Sequence, residues 1–178
     1  QPLDFWVAVP ATEVLQLDDV VMVRRDLEGR KPVTLYGIVD ILVARHEGVR
    51  LETDVFLSSD GLIPLTHTVK AHVTVTRVEP EIFVPPLPGA PVYRAEGDDR
   101  KMALFFDGMK RPFPLGLARD GEVVWGNFDF LDGKRGAHVN ISGISGVATK
   151  TTYATFLLYG IFQSGLLGDE LPNTHALI

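Results

Sequence analysis

Cysteine is missing altogether from the 178 residues, so disulfides and thiolate metal ligands are both excluded; this suits a reducing compartment, and a cytoplasmic location is the expectation. No apolar run approaches the ~20 residues of a membrane-spanning helix. The N-terminal stretch also lacks the basic segment leading into an apolar one that marks a secretory leader, so neither an anchor nor a signal peptide is expected. Gln1 is not a natural start, and residues are expected to precede it. Positive charge is in short supply too: 17 Lys and Arg stand against 23 Asp and Glu, a formal charge of −6. Divided at Pro91, the chain carries 8 basic and 13 acidic residues before Val92, then 9 and 10 after it. Neither half has the surplus that makes nucleic-acid binding legible from charge alone, although a local stripe on an acidic domain still permits it. What is present is a globular composition, 46% hydrophobic. It is long enough for one good-sized domain or a small domain plus part of another.

Between about Phe5 and Val78 the pattern is that of β-strands. Val20 to Val23, Val33 to Val43 and Ala71 to Thr76 are dense in β-branched residues, and turn residues at Glu28-Gly29-Arg30, Glu47-Gly48 and Asp60-Gly61 punctuate them. From Lys70 to Val78 the residues Ala71, Val73, Val75 and the stem of Arg77 fall on one face and polar atoms on the other, as a half-buried strand requires. Several such strands in under a hundred residues must hide their edges, and a small closed barrel over residues 1–91 is the expected solution. Four prolines lie in the seven residues from Pro85 to Pro91. They exclude a helix and a central strand, and place a domain boundary there; a rigid loop inside one domain is the alternative.

Beyond this hinge, Met102 to Phe106 and Gly121 to Trp125 read as short strands, with Arg111-Pro112-Phe113-Pro114-Leu115-Gly116 as a bent connection. Ala137 to Ser142 reads as another strand, Gly143 to Thr149 as a glycine-bearing turn, and Lys150 to Gln163 as a helix, apolar around most of its girth, that Gly165 ends. Thr174 to Ile178 opens one more strand. Strand, crossover helix and strand would begin a parallel α/β sheet over residues 92–178, with the chain stopping before the domain is complete.

A strand, a glycine-bearing turn and then Lys-Thr at a helix N-terminus is a constellation that binds nucleotide phosphates. Glycines let the backbone approach phosphate oxygens, N–H groups and the helix dipole receive negative charge, a lysine reaches the β and γ phosphates, and a hydroxyl ligates Mg²⁺. Lys150 and Thr151 are the candidates for the last two roles. The spacing departs from the standard loop, in which a glycine directly precedes the lysine and another lies five further upstream: here Thr149 precedes Lys150 and Gly143 lies seven before it. On the residues alone, a phosphate loop and an ordinary strand-to-helix turn with a solvated lysine both stay open.

The order of features resembles the HerA family of hexameric DNA translocases. The resemblance rests on Pro85, Pro86, Pro88, Gly89, Ala90, Pro91 and Val92, on Pro114, Leu115 and Gly116, and on His138, Val139, Ile141, Gly143, Ser145 and Gly146. It implies a mainly β N-terminal barrel of the kind these motors share with rotary ATP synthases (the HAS barrel), followed by the beginning of a RecA-like P-loop ATPase domain of the FtsK–HerA class. It implies ATP and Mg²⁺ as cofactors, with phosphate contacts from Gly143, Ile144, Ser145, Gly146, Val147, Ala148 and Thr149, and with Lys150 and Thr151 as the catalytic and Mg²⁺-binding side chains. It further implies a homo-hexameric ring acting on DNA beside a NurA-like nuclease, in DNA end processing or defence. Where the family has Ser-Gly-Lys-Ser, this chain has Val147-Ala148-Thr149-Lys150-Thr151, a divergent ending. Only 28 residues follow Lys150, too few for the acidic Mg²⁺-binding strand, the water-orienting residue or an arginine finger, so this chain alone is expected not to hydrolyse ATP.

Two other readings belong beside the motor: a non-enzymatic module in which the barrel oligomerises or docks a partner, and a fragment of a rotary-ATPase subunit. His46, His67, His72, His138 and His175 are scattered and read as satisfied or surface side chains; only His67 and His72 have a spacing that suits a metal. Arg24-Arg25 with Arg30-Lys31, and Lys110-Arg111, read as solvated turn faces before DNA contacts. Asp18-Asp19 and Asp98-Asp99 read as turn acids.

Overall fold

A computed structural model describes residues 3–47, 66–132, 139–144, 146 and 149–177. The alternating segments of the N-terminal half form five strands: β1 (Asp4–Val9), β2 (Val20–Arg25), β3 (Val33–Glu47), β4 (Thr66–Glu79) and β5 (Val92–Arg94). All their pairings are antiparallel, in the order β1-β4-β3-β2-β5. Register converts alternation into a core. Phe5, Val7 and Val9 stand opposite Val73, Ala71 and Val69, and they share one face with Val21, Val23, Val33, Leu35 and Val39. Each fully buried valine or leucine there contributes about 1.5–3 kcal/mol relative to exposure. Of the turns read from the sequence, the one at Gly29 lies between β2 and β3, where Gly29 adopts φ +69°, whereas those at Gly48 and Asp60-Gly61 lie outside the described residues.

Two irregularities bend the long β3–β4 ribbon, between Tyr36 and Gly37 and between Val39 and Ile41. At the first the strands come so close that a Cβ on Gly37 would lie 2.5 Å from Val73 Cγ1 and 2.7 Å from the Thr74 carbonyl oxygen. Only glycine fits there.

The expected barrel is met only in part. The domain is β-rich and antiparallel, but β1 and β5 are the two ends of the strand order, and no ladder joins them among the described residues. The domain boundary also moves. The chain divides into units Gln1–Phe105 and Phe106–Ile178, because β5 pairs with β2 and Val84, Ala90 and Val92 pack against the first core. The proline passage lies inside the first unit.

Residues 102–106, read as a strand, are another correction: Gly97–Ala103 is a helix, α1. Asp98 and Asp99 occupy its first turn and Arg100 and Lys101 its last, the arrangement a helix dipole favours. Met102 and Ala103 are helix formers without β-branches. The helix covers the outer face of β2 and β3, forming a second small core of Val20, Tyr36, Ala95 and Ala103. The Tyr36 hydroxyl donates to Asp99 Oδ1 at 2.8 Å, and burial together with that carboxylate pushes the phenol up to about 12.

The second unit begins with a hairpin, β6 (Pro112–Leu117) and β7 (Val123–Asn127). Of the Arg111–Gly116 segment, expected to be a bent connection, all but Arg111 is thus strand; a two-stranded ribbon has only edges, where Pro112 and Pro114 remove no central rung. The expected strand at Val123 is present. The expected parallel pair is not: Val139 to Ser142 and Thr174 to Leu177 join no ladder, while Ala137, His138 and Ile178 lie outside the described residues. Strand formation needs a neighbour to receive the backbone hydrogen bonds, and these stretches have none among the described residues. The helix α2 (Thr149–Gln163) does form, and Gly165 follows its end at φ +73°, the left-handed stop the sequence predicts. α2 buries Leu157 against Phe113 and Phe128, with Ile141 and Ile161 alongside. Gly160 faces that core, where a Cβ would come within 2.9 Å of the Phe113 ring.

Candidate nucleotide site

The turn before α2 is anchored from both sides. Upstream, Ile141 packs on the Phe113–Phe128–Leu157 core. Downstream, the Tyr153 hydroxyl donates to the Leu115 carbonyl at 3.0 Å, tying the start of the helix to β6. Between these anchors stands Lys150. Its ammonium donates to the carbonyl oxygens of Gly143 at 3.1 Å and Ile144 at 2.9 Å, and a Cβ on Gly143 would lie 3.4 Å from the Lys150 Cγ. The Gly143 and Ile144 carbonyls are thus gathered at the lysine, which is half-buried. An ammonium has three donors, and two are engaged by the turn itself.

Of the nine predicted site residues, Gly143, Ile144, Gly146, Thr149, Lys150 and Thr151 are described; Ser145, Val147 and Ala148 lie outside the described residues, as does His138 of the family-like motif. Gly143, Ile144 and Lys150 are brought together. Gly146 adopts φ +93° with open space where a Cβ would stand, a conformation and a clearance that suit close approach of a ligand to the backbone. Thr149 and Thr151 lie exposed in the first turn of α2, which carries no acidic residue to repel an anion. The Thr151 carbonyl accepts a hydrogen bond from the Thr155 hydroxyl at 2.9 Å.

Mg²⁺ would find one protein ligand here, the Thr151 hydroxyl, with phosphate oxygens and water completing its six positions. Among the described residues no group of three or more His, Asp or Glu side chains converges to hold a metal.

Arg111, which the sequence presents as half of a solvated basic pair, is instead an organising residue and lies over the Phe128 ring at 4.5 Å. It pairs with Asp132 at 2.7 Å and Asp129 at 3.1 Å and donates to the Leu166 carbonyl at 2.6 Å. Its guanidinium is held above the usual arginine range, by the hydrogen bond to Asp132 first. Asp129 and Asp132, 18 and 21 positions on, are the partners that no local pattern could have supplied. Elsewhere, His72 is satisfied by Asp40 at 2.7 Å, and Asp40 also accepts from the Thr74 hydroxyl at 2.8 Å. These two contacts hold the Asp40 carboxyl below the usual range. Arg25 donates to the Pro85 carbonyl, and Arg24, Arg30 and Lys31 are exposed apart from that contact.

No helix among the described residues is long and apolar enough to cross a membrane. Comparison with known protein families and with characterised proteins finds no match for this chain.

Proposed function

We propose that the turn from Gly143 to Thr151 is a divergent phosphate loop, and that the chain is the N-terminal barrel and opening motor segment of an ATP-driven, ring-forming DNA translocase of HerA type. The carrying observation is the Lys150 ammonium gathered by the Gly143 and Ile144 carbonyls at the start of a 15-residue helix. A lysine held this way has already given up much of its rotamer freedom, so exchanging loop carbonyls for phosphate oxygens costs little further ordering.

In this reading the amides from Gly143 to Thr149 face the phosphates, Lys150 contacts the β and γ groups, and Thr151 offers its hydroxyl to Mg²⁺. The bound nucleotide supplies the energy of phosphoryl transfer; this chain's own residues bind and orient it. DNA contacts, the remaining catalytic residues, assembly into a homo-hexamer and pairing with a NurA-like nuclease fall to other parts of a longer parent in the cytoplasm. In this reading the five-stranded first unit stands for the HAS barrel, with β1 and β5 as its edge strands.

The test is equilibrium binding of ATP with Mg²⁺. Replacing Lys150→Ala removes a charge-assisted hydrogen bond of about 1.5–3 kcal/mol, so affinity falls about ten- to hundredfold. Thr151→Ala lowers the Mg²⁺ dependence of binding and leaves Mg²⁺-free affinity unchanged. Equal affinities for wild type and Lys150→Ala would reject the proposal in favour of the non-enzymatic assembly module.

A further inference from the structure

The two edges of the first sheet border one slot of about 990 Å³. Its floor includes the core side chains Phe5, Val21 and Val23, and the proline passage from Pro85 to Pro91 forms another part of the lining. Hydrogen-bond parity shows which main-chain groups look into it. The Val75 amide donates to the Leu3 carbonyl, so in the β1–β4 register Phe5, Val7 and Val9 also turn their N–H and C=O toward β4, and Asp4, Trp6 and Ala8 turn theirs to the open side. On the other wall the Ala95 amide donates to the Val20 carbonyl, so Tyr93 bonds toward β2, and Val92 and Arg94 present their main chains outward. Two rows of strand donors and acceptors thus border an apolar floor.

We infer that this slot takes one extended polypeptide strand from a partner protein, pairing with β1, β5 or both, with apolar residues directed at the floor and basic residues at its ends. Edges of natural sheets are usually guarded by lysine, proline or a bulge; the six residues of β1, Asp4-Phe5-Trp6-Val7-Ala8-Val9, contain no lysine or proline and pair with β4 in unbroken register. They offer about 20 Å of edge, the geometry of strand addition. Charge selects the ends of the guest. Glu13 and Glu96 line the slot, while Arg94, which lines it too, is engaged by Asp19 at 3.1 Å and by the Val14 carbonyl. The lining therefore presents net negative charge to a strand flanked by lysine or arginine. This inference stands independently of the nucleotide reading.

The test is amide hydrogen exchange on the whole chain, using as probe a blocked seven-residue peptide that alternates valine and threonine between terminal lysines. Exchange at Trp6, Ala8 or Arg94 slows tenfold or more at saturating peptide, and a glutamate-ended counterpart binds at least tenfold more weakly. Ala8→Pro removes one slot-facing N–H and no β4 rung, so peptide affinity falls at least tenfold while the melting temperature is kept. Should Ala8→Pro fail to fold, the Glu13→Lys, Glu96→Lys pair leaves both edges intact and reverses the peptide preference. Unchanged exchange at all three amides would overturn the inference, as would equal affinity for a proline-interrupted peptide. Slowing that appears without peptide and grows with protein concentration would also overturn it, naming a second copy of this chain as the occupant.

Discussion

The two units bury their apolar residues by different means. In the first, strands neighbour one another across a sheet, and both faces find cover: the inner on Phe5, Leu35 and Val73, the outer through Tyr36 under α1. In the second, one hairpin and one helix share three buried side chains, Phe113, Phe128 and Leu157. The face of α2 turned away from that core leaves Phe156 44% and Tyr159 68% exposed. Among the described residues the second unit buries fewer apolar side chains and leans on a charged post, Arg111 between Asp129 and Asp132. The contrast teaches that the candidate site sits on the less self-sufficient scaffold, the kind of region from which ligand-ordered loops are drawn.

Each unit carries one of the two tryptophans, Trp6 and Trp125, so single-tryptophan variants report on them separately. The largest expected effect is that of Phe113→Ala. It removes a fully buried ring at a cost of about 3–5 kcal/mol, so the denaturation midpoint read at Trp125 drops steeply and the midpoint read at Trp6 stays. A matched fall at Trp6 would break the comparison by showing one cooperative structure.

Next in size is Gly37→Ala. The added methyl meets Val73 and the Thr74 backbone, and overpacking costs about 1–3 kcal/mol; here the midpoint shifts at Trp6 and not at Trp125.

That asymmetry also explains what could be read from residues alone. β2, β3 and β4 were legible because alternation in Val33 to Val43 and Ala71 to Thr76 reports burial on one face, and the partner strands lie in the same unit. α2 and its Gly165 stop were legible for the same local reason. Strand closure was not, since whether β1 meets β5 depends on the path of the Pro85–Pro91 connection, which no period encodes. Met102 to Phe106 misleads because an apolar run is ambiguous between helix and strand, and Asp98-Asp99 before it suits a turn as well as a helix start. Val139 to Ser142 misled because a parallel strand is defined by its neighbours. Of the candidate site, the lysine at the helix start was legible; the carbonyls of Gly143 and Ile144 that hold it were not, because the direction of a backbone carbonyl leaves no mark in residue type.

The smallest effect expected is at high pH. Tyr36 is raised from 10.0 to about 12, so the folded state resists its ionisation. Its contribution to stability is fully present below pH 10 and is lost as pH rises toward 12. Tyr36→Phe flattens that alkaline decline at Trp6 and leaves the profile at Trp125 unaltered; an unaltered slope at Trp6 would remove Tyr36 from the first unit's second core.

Whether the second unit receives a nucleotide is tested most directly by amide hydrogen exchange with ATP and Mg²⁺. Slowed exchange at Gly143, Gly146 and the first turn of α2, with the first unit unchanged, is the predicted result. Exchange at those amides that is identical with and without saturating nucleotide would contradict it.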